Sequence, residues 1–531
     1  MSVSNVPEDS LQVTQDIDCR QTTLISFENE AAGVSGSGQG LTSGGIKKDE
    51  IILPEHLKKT NGFILLLGIA TLLPFNSAIV PVDYYTFFYP SDYFVICSLL
   101  YAFGNWCSAW AMLKHGDKLN SYVMILTSFI VWLCVLVIIP FITLIVPDPL
   151  SRHDVDTLAS RKTIRLVINS LLSVTSGVFS GIAFPLVFSV ASRLGARQCY
   201  LFMLGSGLAG LVAVVINIIV SMIGSFALKL DMKSIDLLSI RKTTNFLQYS
   251  TLTYYLLSAG LMGASIYAWI WLMREYPFLS KDIQLEDTIV QTDVVRSYIG
   301  DRLTESLVQK SRRYTTLEIS KMLTLPGSAV FVCLMTTYFV FPGMLAMAEP
   351  SLIGILSRIL TEVNTTEVET RAATYSVWWL LAFMANYLLF DWLGRTSTRS
   401  ACCRRIDIPG VLTLAIIRVI FIPVFAFFSL PAMVCNDWSD TTKCTFPMLL
   451  EYFYTHENTS FVWIPSILLH VVIALFGLSN GHLTSVTMMK YRKYLPDSSY
   501  DGEAGRIMSL FYGTGTFAGA MLSLSFKLIF D

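Results

Sequence analysis

The stretch Phe390-Asp391-Trp392-Leu393-Gly394-Arg395 sets a carboxylate and a guanidinium four residues apart, near the end of an apolar run over about 373–394 that otherwise reads as membrane. A spacing of i, i+4 puts both side chains on one helix face. A charge within a spanning helix costs roughly 2.5–3.5 kcal/mol on insertion scales, so such residues pair and turn toward a bundle interior or a solute path. Passage of a solute through a membrane is therefore the first function this stretch suggests.

Composition points the same way. Of 531 residues, 53% are hydrophobic and only 15% charged, and the mean hydropathy is +0.56, outside the balance of a soluble domain. A net charge of −1 offers no concentrated basic surface, so no nucleic-acid partner is expected. The expected surroundings are the lipid bilayer. Cys97, Cys107, Cys134, Cys199 and Cys333 lie in apolar runs, where a thiol acts as a small hydrophobe. Cys435 and Cys444 flank a polar loop and can form a disulfide if that loop lies outside the cell.

Residues 1–58 read as a disordered cytoplasmic tail, because the Gly- and Ser-rich run from Gly33 to Gly45 cannot bury enough surface to offset ordering entropy. No early apolar segment with a cleavage site is visible. From Gly62 onward, apolar runs of about 20 residues recur, enough to cross about 30 Å of hydrocarbon. About eleven are expected, near 60–82, 91–113, 120–147, 163–190, 199–226, 248–273, 326–348, 373–394, 408–431, 461–488 and 504–530. Lys and Arg collect in alternate short connections, which predicts a cytoplasmic N-terminus and, with an odd number of spans, an extracellular C-terminus. Lys229, Lys233, Arg241 and Lys242 run against that rule. The sequons at Asn364 and Asn458 fall in outer loops, where glycosylation takes place.

A charged insert, 274–325, divides the runs and reads as a cytoplasmic linker loop. The expected organisation is an all-α polytopic membrane protein with a six-helix bundle over 59–273 and a five-helix bundle over 326–531. Two bundles facing each other across a cavity suit alternating access, although no convincing sequence repeat relates the halves.

Asp391 is the single carboxylate placed well inside a span, which excludes an enzyme needing two. The plain alternative for its pair is that Arg395 snorkels to the cytoplasmic interface while Asp391 neutralises it. Arg418 falls about ten residues into its own span and needs a partner. Asp391 is the obvious one, which would make Arg418 a structural clamp between helices. Gly205-Ser206-Gly207-Leu208-Ala209-Gly210 has the letters of a dinucleotide loop, but inside a spanning run these small residues let helix backbones approach. Asn76 after Pro74, Asn169, Ser176, Ser479 with Asn480, and His482 interrupt other spans, and each suits a helix–helix hydrogen bond as well as a solute. His470 and His482 lack the spacing of a metal site, so no metal is expected.

Together these segments resemble the equilibrative nucleoside transporter family. Gly68-Ile-Ala-Thr-Leu-Leu-Pro-Phe-Asn76 is similar to the family's Gly-x-x-x-Leu-Leu-Pro-Trp-Asn, and Asp391-Trp-Leu-Gly-Arg395 is similar to its signature in the eighth span. Phe341-Pro342, Arg418-Val-Ile-Phe-Ile-Pro423, Ser479-Asn-Gly-His-Leu483 and the run from Gly205 to Gly210 resemble further family motifs, in the family's order.

The resemblance implies facilitated passage of nucleosides, or of the related nucleobases, by alternating access in a fold related to the major facilitator superfamily. A monomer without a cofactor is expected, with the plasma membrane as the default address and an intracellular membrane as the alternative. In that picture Asp391 and Arg395 contact ribose hydroxyls or the base, while Leu72, Phe75, Asn76, Leu99, Ser176, Phe341 and Met384 line or gate the cavity. The sequence departs from the family at Phe75, which replaces tryptophan and loses the indole donor, and at Ser176, where many members carry glutamine. A proton-coupled symporter, an organic-cation or monoamine carrier using Asp391 as counter-ion, and a membrane-embedded enzyme or receptor are the alternatives.

Overall fold

In hydrocarbon a chain must satisfy its own backbone polar groups, so each apolar run folds as a helix. The computed structural model describes residues 54–90, 92–116, 119–146, 155–194, 196–227, 237–275, 314–345, 365–399, 406–426, 463–496 and 500–530. The sequons at Asn364 and Asn458, the pair Cys435 and Cys444, nearly all of the N-terminal tail and most of the linker lie outside the described residues.

The first half of the chain forms α1 (Pro54–Ile79), α2 (Val82–Phe88), α3 (Tyr93–His115), α4 (Ser121–Ile138), α5 (Val155–Leu194), α6 (Ala196–Ala227) and α7 (Leu237–Glu275). The second half forms α8 (Thr316–Met322), α9 (Thr324–Phe339), α10 (Thr365–Ser397), α11 (Ile408–Ile417), α12 (Trp463–Lys490) and α13 (Asp501–Phe530). No strand occurs among the described residues.

Local chemistry sets several boundaries. Asn120 starts α4 by accepting from the backbone N–H of Tyr122 at 3.0 Å, the usual way to satisfy a helix's unpaired donors. Thr315 and Glu318 form a capping box before α8. After α9 the helix loosens into a π segment, Val340–Met344, in which Phe341 is extended at φ −112° and ψ 132°. Pro342 explains this, since a residue preceding proline is driven from the helical region.

Among the described residues, ten helices are long and apolar enough to cross a membrane. This is an all-helical integral membrane protein. Each of the ten coincides with an expected span, the largest departures being at both ends of the tenth expected span, which runs Leu468–Tyr494 instead of 461–488. The eighth expected span, 373–394, lies within α10, which is not among the ten, so the count of eleven stands as an expectation.

Four helix pairs pack most extensively: α1 with α6, α3 with α5, α9 with α13, and α10 with α12. Counting the expected spans in chain order, with α10 as the eighth, these pair the first with the fifth, the second with the fourth, the seventh with the eleventh and the eighth with the tenth. The second set repeats the first, six spans on. Glycine permits the close approach: a Cβ on Gly205 would overlap the Leu65 carbonyl of α1, and one on Gly481 would overlap the Asp391 carbonyl of α10. The two sets meet along two seams, α3 against α13 and α6 against α10.

A buried arginine ties two helix ends together. Arg165 on α5 donates from Nη1 to the Phe88 carbonyl at 3.1 Å and from Nε to the Val146 carbonyl at 3.0 Å. It thereby satisfies carbonyls at the ends of α2 and of a short helical turn, Ile142–Ile145, where no intrahelical donor is available.

Candidate functional site

The pair that opened the sequence reading sits on the α6–α10 seam. Asp391 and Arg395 are 5% and 6% exposed, so neither snorkels to water, and Arg395 Nε donates to Asp391 Oδ2 at 2.9 Å. The guanidinium then crosses to α6, where Nη1 donates to the Ser206 hydroxyl at 3.0 Å and to the Met203 carbonyl at 3.2 Å. Gly207 makes room for this crossing, because a Cβ there would overlap Arg395 Cδ. Gly210, one turn further, leaves space for Leu388 of α10 and lies close to Asn76 of α1. Gly205 serves backbone packing, whereas Gly207 and Gly210 accommodate side chains.

The second oxygen of the carboxylate is also engaged. Asn480 on α12 donates from Nδ2 to Asp391 Oδ1 at 2.7 Å, and its Oδ1 accepts from the Thr337 hydroxyl of α9 at 2.7 Å. Arg418, just beyond α11, donates from Nη1 to Thr337 Oγ1 at 2.8 Å. A single hydrogen-bonded chain thus runs from Arg418 through Thr337 and Asn480 to Asp391, and on through Arg395 to Ser206. It links five helical segments.

The expectation that Arg418 pairs with Asp391 is corrected. Arg418 is 2% exposed and donates to the Cys333 carbonyl at 2.6 Å, the Phe476 carbonyl at 3.1 Å and the Ser479 hydroxyl at 2.9 Å. Its guanidinium also lies 4.2 Å from the centroid of the Phe476 ring. Five donors in a fixed fork can be satisfied by carbonyls and an aromatic face without any carboxylate, while both oxygens of Asp391 are taken by Arg395 and Asn480. The clamp between helices is real, but its partners are carbonyls, hydroxyls and a ring.

The motif Ser479-Asn-Gly-His482 is spent residue by residue on this assembly. Ser479 holds Arg418, Asn480 holds Asp391 and Gly481 admits α10. The fourth, His482, places Nδ1 2.8 Å from the Ser397 hydroxyl.

Aromatic side chains gather beside the ion pair. Phe75, set just after Pro74 of α1, lies 4.6 Å from Tyr101 and 5.7 Å from Tyr338, measured between ring centroids. Phe341 stacks on Tyr387 of α10 at 4.2 Å, one turn from Asp391. Two narrow hollows adjoin Phe75, Tyr101 and Tyr338, and neither is lined by Asp391, Arg395 or Phe341. One is lined by Phe75, Pro74, Tyr101 and Ser176 among others, and the other by Leu72, Tyr101, Tyr338 and Tyr512 among others. The Ser176 hydroxyl is buried and has no hydrogen-bond partner among the described residues.

The remaining expected residues are placed differently. Asn76 turns its Nδ2 back to the Leu72 carbonyl at 2.9 Å and lines neither hollow. Met384 is fully buried, seven residues before Asp391 on the same face of α10, and also lines neither. Leu99 is half-exposed, on the face of α3 opposite Cys97 and Tyr101. Sequence reading missed Ser206, Thr337, Tyr101 and Tyr512. The first lies inside the small-residue run that was read for packing alone, and nothing in the sequence marks the other three.

Among the described residues no cluster of histidine, cysteine or acidic side chains could hold a metal ion. The arrangement offers a fixed guanidinium, an orphaned hydroxyl and a set of flat rings.

Equilibrative nucleoside transporter 1 of Rattus norvegicus is 29% identical over 175 residues, which is 31% of this chain and 32% of the rat protein. The Mus musculus protein of the same name is 27% identical over 169 residues, with the same coverage. The chain thus matches about a third of the length of these relatives. Among solved structures, a proton:xylose symporter of the major facilitator superfamily, bound to 6-bromo-6-deoxy-D-glucose, aligns with a TM-score of 0.46 at 13% identity over 89% of each chain. Residues 301–528, the stretch that carries Asp391, Arg395, Arg418 and Asn480, match the family model described as nucleoside transporter.

Proposed function

We propose that this protein is a facilitative carrier that moves nucleosides, and the related nucleobases, across a membrane by alternating access. The observation that carries the reading is the buried ion pair on the α6–α10 seam. Arg395 spends Nε on Asp391 and Nη1 on α6, and its Nη2 makes no hydrogen bond to the described residues. A guanidinium edge left over beside aromatic rings matches a solute with hydroxyl or ring acceptors and a flat base.

The same geometry weighs against an organic-cation carrier. Asp391 is already neutralised by Arg395 and hydrogen-bonded by Asn480, so it offers no unpaired anion to a cation. Two sets of tightly packed helix pairs, meeting along seams held by side chains, suit two bundles over 59–273 and 326–531 that rock against each other. The two relatives are named as equilibrative nucleoside transporters, which supports a uniporter. The basic connections support a cytoplasmic N-terminus and an extracellular C-terminus at the plasma membrane, and the reading takes the protein as a monomer.

The test is uptake of labelled adenosine and uridine into liposomes holding the purified protein. The expected result is saturable uptake that unlabelled nucleosides compete away and that a pH gradient leaves unchanged. Uptake driven only by an inward proton gradient would make it a symporter, and no nucleoside uptake would end the reading.

A further inference from the structure

We propose that Asn480 is a positioning residue for the solute-binding guanidinium, acting on Arg395 through the Asp391 carboxylate, and that Thr337 and Arg418 hold Asn480 in the orientation this requires. The inference rests on the nucleoside-carrier reading and specifies how its binding group is aimed.

The chemistry of the chain of donors allows only one direction. Arg418 can only donate, so Thr337 Oγ1 accepts from it. The Thr337 proton then has two acceptors in reach, the Cys333 carbonyl at 2.8 Å and Asn480 Oδ1 at 2.7 Å. The Cys333 carbonyl already receives Arg418 Nη1 at 2.6 Å, which favours Asn480. An ionised carboxylate can only accept, so the amide of Asn480 must present Nδ2 to Asp391, as found. Asparagine is the side chain of this size that accepts at one end and donates at the other. Aspartate has no donor, and leucine has neither.

The consequence falls on Arg395. A carboxylate held by one donor can swing about its Cβ–Cγ bond, but here Oδ1 is fixed by Asn480 and Oδ2 faces Arg395 Nε. With Nε and Nη1 both committed, the plane of the guanidinium is set, and with it the direction of Nη2. Asp391 then orients the binding group and need not touch the solute itself. Loss of Asn480 would free the carboxylate and widen the range of Nη2, which weakens binding without removing any group that contacts the solute.

The experiment measures adenosine uptake in liposomes carrying equal amounts of full-length wild type, Asn480→Leu, Thr337→Val and Thr337→Ser. Detergent melting of each variant reports folding. Leucine and valine keep the shape and remove the hydrogen bonds. The expected outcome is a rise in KM of about tenfold for Asn480→Leu and several-fold for Thr337→Val, with Vmax changed much less, and recovery of the wild-type KM in Thr337→Ser. Should Asn480→Leu fail to fold, the valine and serine variants at Thr337 still decide the matter. An unchanged KM in both isosteric variants, a loss confined to Vmax, or failure of serine to rescue would overturn the proposal while leaving nucleoside transport intact. A wild type that takes up no adenosine would instead remove the functional reading on which it stands.

Discussion

Gly207 of α6 lies directly beneath the Arg395 side chain of α10, so that a single added methyl would occupy the space of Arg395 Cδ. The guanidinium is pinned by Asp391 on one side and by Ser206 and Met203 on the other, and it cannot move aside without losing hydrogen bonds. Overpacking of this kind costs roughly 1–3 kcal/mol. Gly207→Ala should therefore lower nucleoside uptake by about tenfold or more while the protein still inserts. Uptake per reconstituted molecule checks this, and wild-type uptake would show that Arg395 is free to shift.

The ion pair itself should tolerate little. Asp391→Ala or Arg395→Ala is expected to abolish uptake, with surface expression retained. Arg395→Lys keeps the charge, but an ammonium cannot span from Asp391 to Ser206 and Met203 as the planar fork does. Its uptake should fall at least tenfold. Surface labelling alongside uptake measures both quantities, and normal uptake in either alanine variant would exclude the pair from the mechanism.

Arg418 predicts a different signature. Its removal would leave the Cys333 and Phe476 carbonyls to the Thr337 and Ser479 hydroxyls and would lose charge-assisted hydrogen bonds worth about 1.5–3 kcal/mol each. Arg418→Met should reduce the yield of folded protein and its melting temperature in detergent. Fluorescence-detected size-exclusion after heating is the measurement, and a wild-type melting temperature would contradict the clamp.

Ser176 carries a buried hydroxyl that no described residue satisfies, in a hollow it shares with Phe75. Ser176→Ala should leave folding unharmed or slightly improved. If the hydroxyl serves a solute, one hydrogen bond of about 1 kcal/mol is lost, which is roughly a fivefold rise in KM. Ser176→Gln would extend an amide into the same hollow and alter the order of preference among nucleosides. A competition series of purine and pyrimidine nucleosides reads both effects.

Much of this was accessible from the chain alone, because hydrocarbon thickness imposes a length and a helix imposes a period. Apolar runs located ten spans, and the four-residue interval already put Asp391 and Arg395 on one face. What escaped was anything that depends on which helix faces which. Arg418 seemed to need a carboxylate because sequence cannot show that the Cys333 and Phe476 carbonyls are aimed at it. Gly207 and Gly205 look alike in a small-residue run, yet one admits a guanidinium and the other a backbone. Asn480 read as one polar interruption among several, and its weight comes from Thr337, which is 143 positions away. The repeat between halves is carried by the pairing of helices and not by recurring letters.

Asp391 and Arg395 ride on the same helix, four residues apart. In the proposed rocking cycle, a slide of α10 against α6 would break ties to a neutral hydroxyl and a backbone carbonyl and would carry both charges together. A lone charge carried across the membrane field would feel about 2.3 kcal/mol per 100 mV. This couple presents no net charge to that field, so the voltage across the bilayer would exert no net pull on it in either direction of the proposed cycle.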